Sequence, residues 1–196
     1  MKRIIPILMI FILMGCVCAE DFSKVTVNGE SFEIPSKFSS GDTGPTKYVY
    51  KDLRTFAVLC VDDYIINNYG GFYKISDLKE EISIDGRPCM HLVTYNKYID
   101  RNVSYLYFPV EKSVYCICYQ GNDVNESISH IVESANSSDM SDDAFFGLLN
   151  EAFNQYQDRQ YLDSLNDDNS YYSYQTNNHE DSSTDQLVKW YLITHW

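Results

Sequence analysis

Ser113-Val114-Tyr115-Cys116-Ile117-Cys118-Tyr119 decides how this chain folds. Successive side chains of a strand point to opposite faces. Here Val114, Cys116 and Cys118 fall on one face and Tyr115, Ile117 and Tyr119 on the other, and both sets are apolar. A strand with one wet face would alternate apolar with polar, so this one is expected at the centre of a sheet covered on both sides. Just upstream, Ser104-Tyr105-Leu106-Tyr107-Phe108 reads as its partner, with Pro109 and Glu111-Lys112 between them as the turn of a hairpin.

Further hairpins follow outward from this pair. Val25-Thr26-Val27 and Ser31-Phe32-Glu33-Ile34 flank Asn28-Gly29, a dipeptide that accepts the positive φ angles of a two-residue turn, and Pro35 ends the second strand. Lys47-Tyr48-Val49-Tyr50 precedes Thr55-Phe56-Ala57-Val58-Leu59-Cys60-Val61, and Asp85-Gly86 joins Ile82-Ser83-Ile84 to Cys89-Met90-His91-Leu92-Val93-Thr94-Tyr95. Segments this rich in Val, Ile, Tyr and Phe suit a pleated surface. Cover for one face comes from residues 124–135, where Val124, Ile128, Ile131 and Ala135 recur at helical spacing. A short helix is also expected over 76–81. Residues 142–165 form the strongest helical pattern: Phe145, Leu149, Ala152 and Tyr156 make a stripe joined by Leu148 and Phe153, and Asp142 and Asp143 sit where the helix dipole favours negative charge. The expected fold class is α+β, an antiparallel β-sheet of hairpins covered by helices, with a C-terminal helix that either packs on the second face or binds a partner.

The strand ending Phe32-Glu33-Ile34-Pro35, the meander of hairpins, the strand 114–121 and the amphipathic helix that closes it resemble, in that order, the PsbP-like sandwich of small extracytoplasmic proteins. The Val25-Thr26-Val27-Asn28-Gly29 opening behind a leader is similar to that of uncharacterised secreted proteins of archaeal type. The resemblance spans residues 22–138 and implies an accessory or binding module; it carries no functional residues with it.

The N-terminus gives an address. Lys2 and Arg3, an apolar run from Ile4 to Met14 and small or thiol residues from Gly15 to Ala19 follow the order of a secretory signal peptide, expected over residues 1–19. The run is shorter than the about 20 residues a spanning helix needs. Two processing sites compete: a lipobox-like Leu13-Met14-Gly15-Cys16, which would lipidate Cys16, and Val17-Cys18-Ala19, which would release the chain. An uncleaved N-terminal anchor is the third outcome. The expected location is therefore secreted or cell-surface, with membrane contact only through the leader or a lipid.

Charge and polarity divide what remains. The chain holds 28 acidic residues against 15 basic, two of the latter in the leader, and has a formal net charge of −13. Phosphate backbones are bound by Lys and Arg, so nucleic acid is not an expected partner. Residues 139–196 carry 11 acids and 2 bases, which marks a boundary near Ser138 between the sheet-and-helix domain (22–138) and the helix that follows (139–165). Residues 166–196 begin as a polar tail containing Tyr171, Tyr172 and Tyr174 and end on an apolar stretch at 187–196.

Chemistry is sparse. Cys60, Cys89, Cys116 and Cys118 remain after processing, an even number that in an exported chain permits buried thiols or a disulfide, with Cys60 the first partner and Cys116 or Cys118 its mate. Cys89 with His91 and Cys116 with Cys118 share faces at i, i+2. If their strands are neighbours, these four side chains can converge as tetrahedral metal ligands, though their spacing is not that of a zinc knuckle. No metal or cofactor is assigned, and neither a Gly-x-Ser-x-Gly elbow nor a triad is present. Asp62-Asp63 are adjacent on a strand-like segment and so point apart. Asn102, Asn125 and Asn136 begin N-glycosylation acceptor patterns. Tyr69-Gly70-Gly71-Phe72-Tyr73 is the candidate contact surface, through Tyr69, Gly70, Gly71 and Tyr73. These features point to a non-catalytic extracytoplasmic binding or accessory module whose partner is an unknown protein or envelope component. It would be met at a sheet edge, at the Tyr/Gly stretch or at the tail. The alternatives are a thiol redox or metal-binding protein using Cys89, His91, Cys116 and Cys118, and a structural surface protein.

Overall fold

A computed structural model describes residues 20–170, with side chains through residue 164. The leader with Cys16, and the tail from 171 with its tyrosines and apolar end, lie outside the described residues. The strands are β1 (Phe22–Val27), β2 (Glu30–Pro35), β3 (Asp42–Thr43), β4 (Lys47–Tyr50), β5 (Phe56–Cys60), β6 (Leu78–Ile84), β7 (Arg87–Asn96), β8 (Arg101–Val110) and β9 (Ser113–Gln120). The helices are α1 (Ile65–Ile75), α2 (Glu126–Ser134) and α3 (Asp142–Ser170). β1 and β2 form their own hairpin; the other seven strands form an antiparallel sheet in the order β3-β4-β5-β9-β8-β7-β6.

β9 is the middle strand of the seven, and both its faces are buried. Helix α1 carries the chain from β5 to the far edge at β6, and the hairpins β6-β7-β8-β9 then walk back until β9 docks against β5. The turns obey the local chemistry of their residues: Asn28 and Gly29 have φ of 51° and 85°, and Asp85 and Gly86 have 49° and 76°. On one face, Phe56, Val58, Leu106, Phe108, Tyr115 and Ile117 are sealed by the β1-β2 hairpin and by Ile128, Ile131 and Val132 of α2. On the other, Leu59, Leu92, Tyr107, Val114, Cys116 and Cys118 lie under α1 and α3, with Tyr69, Phe145, Leu149 and Ala152 in the same core. The fold is α+β, a sheet covered by helices on both faces. The stripe expected on residues 142–165 is buried at Phe145, Leu149, Ala152 and Tyr156, so α3 packs on the second face. Phe145 and Leu149 each contribute about 1.5–3 kcal/mol by leaving water.

The helix expected over 76–81 is not there. Leu78–Ile84 is the edge strand β6, and the helix lies earlier, at α1. Strand alternation wins in β6 because Ile82 packs on the core and Ile84 is buried in it, while Lys79, Glu81 and Ser83 face solvent. Exposed charges at Lys79, Glu80 and Glu81 also guard this edge against pairing with another chain. No helix among the described residues is long and apolar enough to cross a membrane.

Candidate functional site

Three pieces of chain meet at one end of the sheet: the β1-β2 turn, the β8-β9 turn and the segment after α2. Glu111, at φ 50°, turns the chain between β8 and β9 and so offers both its backbone groups sideways. Its N–H donates to Ser137 O at 3.0 Å, and its carbonyl accepts from Asp139 N–H at 2.8 Å and Ser138 Oγ at 3.2 Å. Arg87 fixes the same segment from beneath: Nη2 donates to Ala135 O at 3.0 Å and Asn136 O at 2.9 Å, while Nη1 reaches Pro109 O at 3.3 Å. This guanidinium satisfies carbonyls at the end of α2 that have no helical partner. Asn136 Nδ2 donates to Glu30 Oε2 at 2.8 Å and so ties the segment to the β1-β2 turn.

Between these turns lies a cleft of about 590 Å³. Asn28, Glu30, Glu111, Lys112, Asn136 and Asp139 form much of its wall, with Val110 and Tyr115 also lining it. Three carboxylates against one ammonium make the opening acidic. Beneath it, Asn28 Nδ2 donates to Cys60 Sγ at 3.3 Å, and Cys60 Sγ–H points to Asp62 Oδ2 at 3.6 Å. Asp62 Oδ1 accepts from Val114 N–H at 2.7 Å, giving this carboxylate a structural task. Burial raises the Cys60 thiol and the Tyr115 phenol above their ordinary ranges. Neither is an ionised nucleophile at neutral pH.

The thiol and metal set does not converge. Cys60 and Cys89 lie in the core beneath the β1-β2 hairpin and α2, whereas Cys116 and Cys118 lie in the core beneath α1 and α3. The sheet itself separates Cys60 from both expected disulfide mates, and all four are free thiols. β8 stands between β7 and β9, so the condition for Cys89, His91, Cys116 and Cys118 to meet is not fulfilled. No group of three or more metal-ligating side chains occurs among the described residues. Cys116 and Cys118 are neighbours, Sγ to Sγ 3.8 Å, but burial pushes the Cys116 thiol far up; the Cys89 thiol is pushed up to about 12 by the same cause. His91 is 2% exposed, with Nε2 at 3.1 Å from Ser104 Oγ and 3.3 Å from Tyr119 Oη. Ser104 Oγ also donates to Gly121 O at 2.8 Å, a bond made to a backbone carbonyl rather than to the imidazole.

The Tyr/Gly contact surface is also corrected. Residues 69–73 lie within α1, with Tyr69 and Gly70 buried and Gly71 and Tyr73 half-buried. The glycines serve close packing: a Cβ on Gly70 would stand 2.5 Å from Tyr156 Cβ. Tyr69 meets Tyr107 edge-on and Tyr73 meets Phe153. Of the acceptor asparagines, Asn136 sits on the cleft, Asn102 is half-buried at the start of β8 with Nδ2 donating to Asn122 Oδ1 at 2.8 Å, and Asn125 is exposed as the cap of α2. Sequence reasoning missed the cleft because its residues come from three distant turns; their one shared signal is that each sits at or beside a turn.

No known family model matches this chain, and neither does any curated protein.

Proposed function

We propose that this protein is a non-catalytic extracytoplasmic binding module, secreted or surface-tethered, and that it takes its partner at the acidic cleft between the β1-β2 turn, the β8-β9 turn and Asp139. The observation that carries the reading is the cleft itself: a concave, polar, cross-braced cavity on a scaffold whose Cys60 and Cys89 thiols are held protonated by burial. The leader, the acidic surface and the resemblance to PsbP-like accessory modules support the same reading. So does rigidity, since a site held by Arg87 and Glu111 needs little ordering when a partner arrives.

The test has two arms. Cells are fractionated into cytosol, membrane, wall and medium, and the N-terminus of the recovered chain is sequenced. In parallel, full-length mature protein and its Glu30→Gln/Glu111→Gln/Asp139→Asn variant, matched for melting temperature, are used to capture partners from envelope extract. The expected result is a processed chain outside the cytosol and a species retained by the natural protein but lost by the variant. A cytosolic chain with its first methionine ends the extracytoplasmic reading; identical capture by both forms, or capture by neither, ends the assignment to the cleft.

A further inference from the structure

We infer that Asn125 is a glycan-bearing residue, the one acceptor asparagine of the three whose folded geometry takes a sugar without disturbing a described contact. The inference rests on export, as proposed above. Asn125 is exposed and extended, with φ −85° and ψ 174°, and it precedes the first turn of α2. Its Oδ1 accepts from Ile128 N–H at 3.0 Å, which is the cap of the helix. Capping uses the oxygen of the carboxamide, and glycosylation uses the nitrogen. The Nδ2 has no partner among the described residues, so cap and glycan can coexist on one side chain.

The other two asparagines are placed differently. Asn102 lies on β8, an inner strand of the sheet, and its Nδ2 is engaged with Asn122. Asn136 presents its Nδ2 to Glu30 on the cleft wall, where a sugar would fill the proposed binding site. Asn125 follows the strand end opposite the cleft. Ser113 of β9 pairs with Val110 beside the cleft and Gln120 with Val103 at the far end, and α2 then returns the chain to Asn136. A glycan on Asn125 therefore leaves the cleft open.

The transfer joins Asn125 Nδ2 to the anomeric carbon of an oligosaccharide carried on a lipid pyrophosphate. The anomeric C–O bond to the phosphate breaks, the lipid pyrophosphate leaves with the bonding electrons, and one of the two Nδ2 protons is lost. The second Nδ2 proton and Oδ1 remain, and nothing is oxidised or reduced. Recognition takes place at Asn125-Glu126-Ser127 before α2 winds, since the Ser127 hydroxyl is engaged with the Glu20 carboxylate once folded.

The experiment is glycopeptide mass spectrometry on the full chain purified from its own cells, with Asn125→Asp, Asn102→Gln and Asn136→Gln expressed alongside. Asp accepts the same Ile128 N–H, so Asn125→Asp removes the acceptor while keeping the helix cap. The expected result is a glycan on the Asn125 peptide and loss of that whole mass increment in Asn125→Asp, with the increment unchanged in the other two variants. An exported chain with a bare Asn125, or with sugar on Asn102 or Asn136 at equal occupancy, overturns the inference and leaves export standing. A chain retained in the cytosol with its leader intact overturns both, and fractionation tells the two failures apart.

Discussion

Neighbouring glycines in α1 should respond to the same substitution with opposite signs. Alanine in a helix interior is favoured over glycine by about 1 kcal/mol, and that gain is available at both Gly70 and Gly71. The surroundings differ. At Gly71 an added methyl meets only the Tyr156 ring, at 3.9–4.0 Å, an ordinary contact. At Gly70 it meets Tyr156 Cβ at 2.5 Å and Cγ at 2.8 Å, and the Cβ is fixed to the α3 backbone, so no rotamer change removes that clash. Forcing α1 and α3 apart is an overpacking defect that costs about 1–3 kcal/mol. Gly71→Ala is therefore expected to gain about 1 kcal/mol, and Gly70→Ala to be neutral or to lose up to about 2 kcal/mol once the propensity gain is subtracted. A domain of this size shifts by about 2–4 °C per kcal/mol, so a difference of about 2 kcal/mol separates the variants by about 4–8 °C. Thermal unfolding followed by circular dichroism, with urea midpoints as a second measure, reads this directly. If both alanines raise the melting temperature equally, the α1–α3 contact at Gly70 is wrong, and residues 69–73 return to being a candidate contact surface.

Two tyrosines test the polar core. Tyr156 Oη is buried without a hydrogen-bond partner among the described residues, so Tyr156→Phe should leave stability unchanged or raise it by up to about 1 kcal/mol, whereas Tyr107→Phe deprives Asn68 Oδ1 of a 2.7 Å donor and should cost about 1–3 kcal/mol in urea titrations; equal effects would refute the assignment. Burial holds the His91 imidazole below its ordinary pKa, against the opposing fields of Glu80 and Asp123. Its contribution to stability is therefore present above pH about 6.5 and lost as pH falls below that value, because the unfolded chain takes up the proton first. The unfolding free energy should fall with a slope no steeper than about 1.4 kcal/mol per pH unit from this group, and His91→Gln should flatten the profile between pH 7 and 5; an unchanged profile would show that His91 does not carry the effect. Cys89 and Cys116 should resist maleimide labelling at pH 7.5 in native buffer and react fully in denaturant, with peptide mapping to locate the label; rapid native labelling of either would mean that its core opens easily.

Which parts of this molecule were legible without coordinates follows from the range of the forces involved. Turn chemistry at Asn28-Gly29 and Asp85-Gly86, alternation along β9 and the 3.6-residue stripe of α3 are written within a few residues of each other, so the chain alone determined the hairpins, the central strand, two helices and the fold class. Helix α1 was not legible, because two glycines and a run of aromatic and β-branched residues have weak helical propensity; in the fold it packs against α3, whose Tyr156, some 86 positions from Gly70, lies on it. The same distance effect hid the cleft, which exists only where turns at Asn28, Glu111 and Asp139 are brought side by side. The fate of the cysteines was likewise a tertiary decision: i, i+2 spacing placed Cys116 and Cys118 on one face, but only the pairing register, with Cys60 opposite Tyr115 and Met90 opposite Tyr107, put Cys60 and Cys89 across the sheet from them. Local pattern sets which face a side chain takes within its own strand, and the pairing of distant strands sets what that face meets.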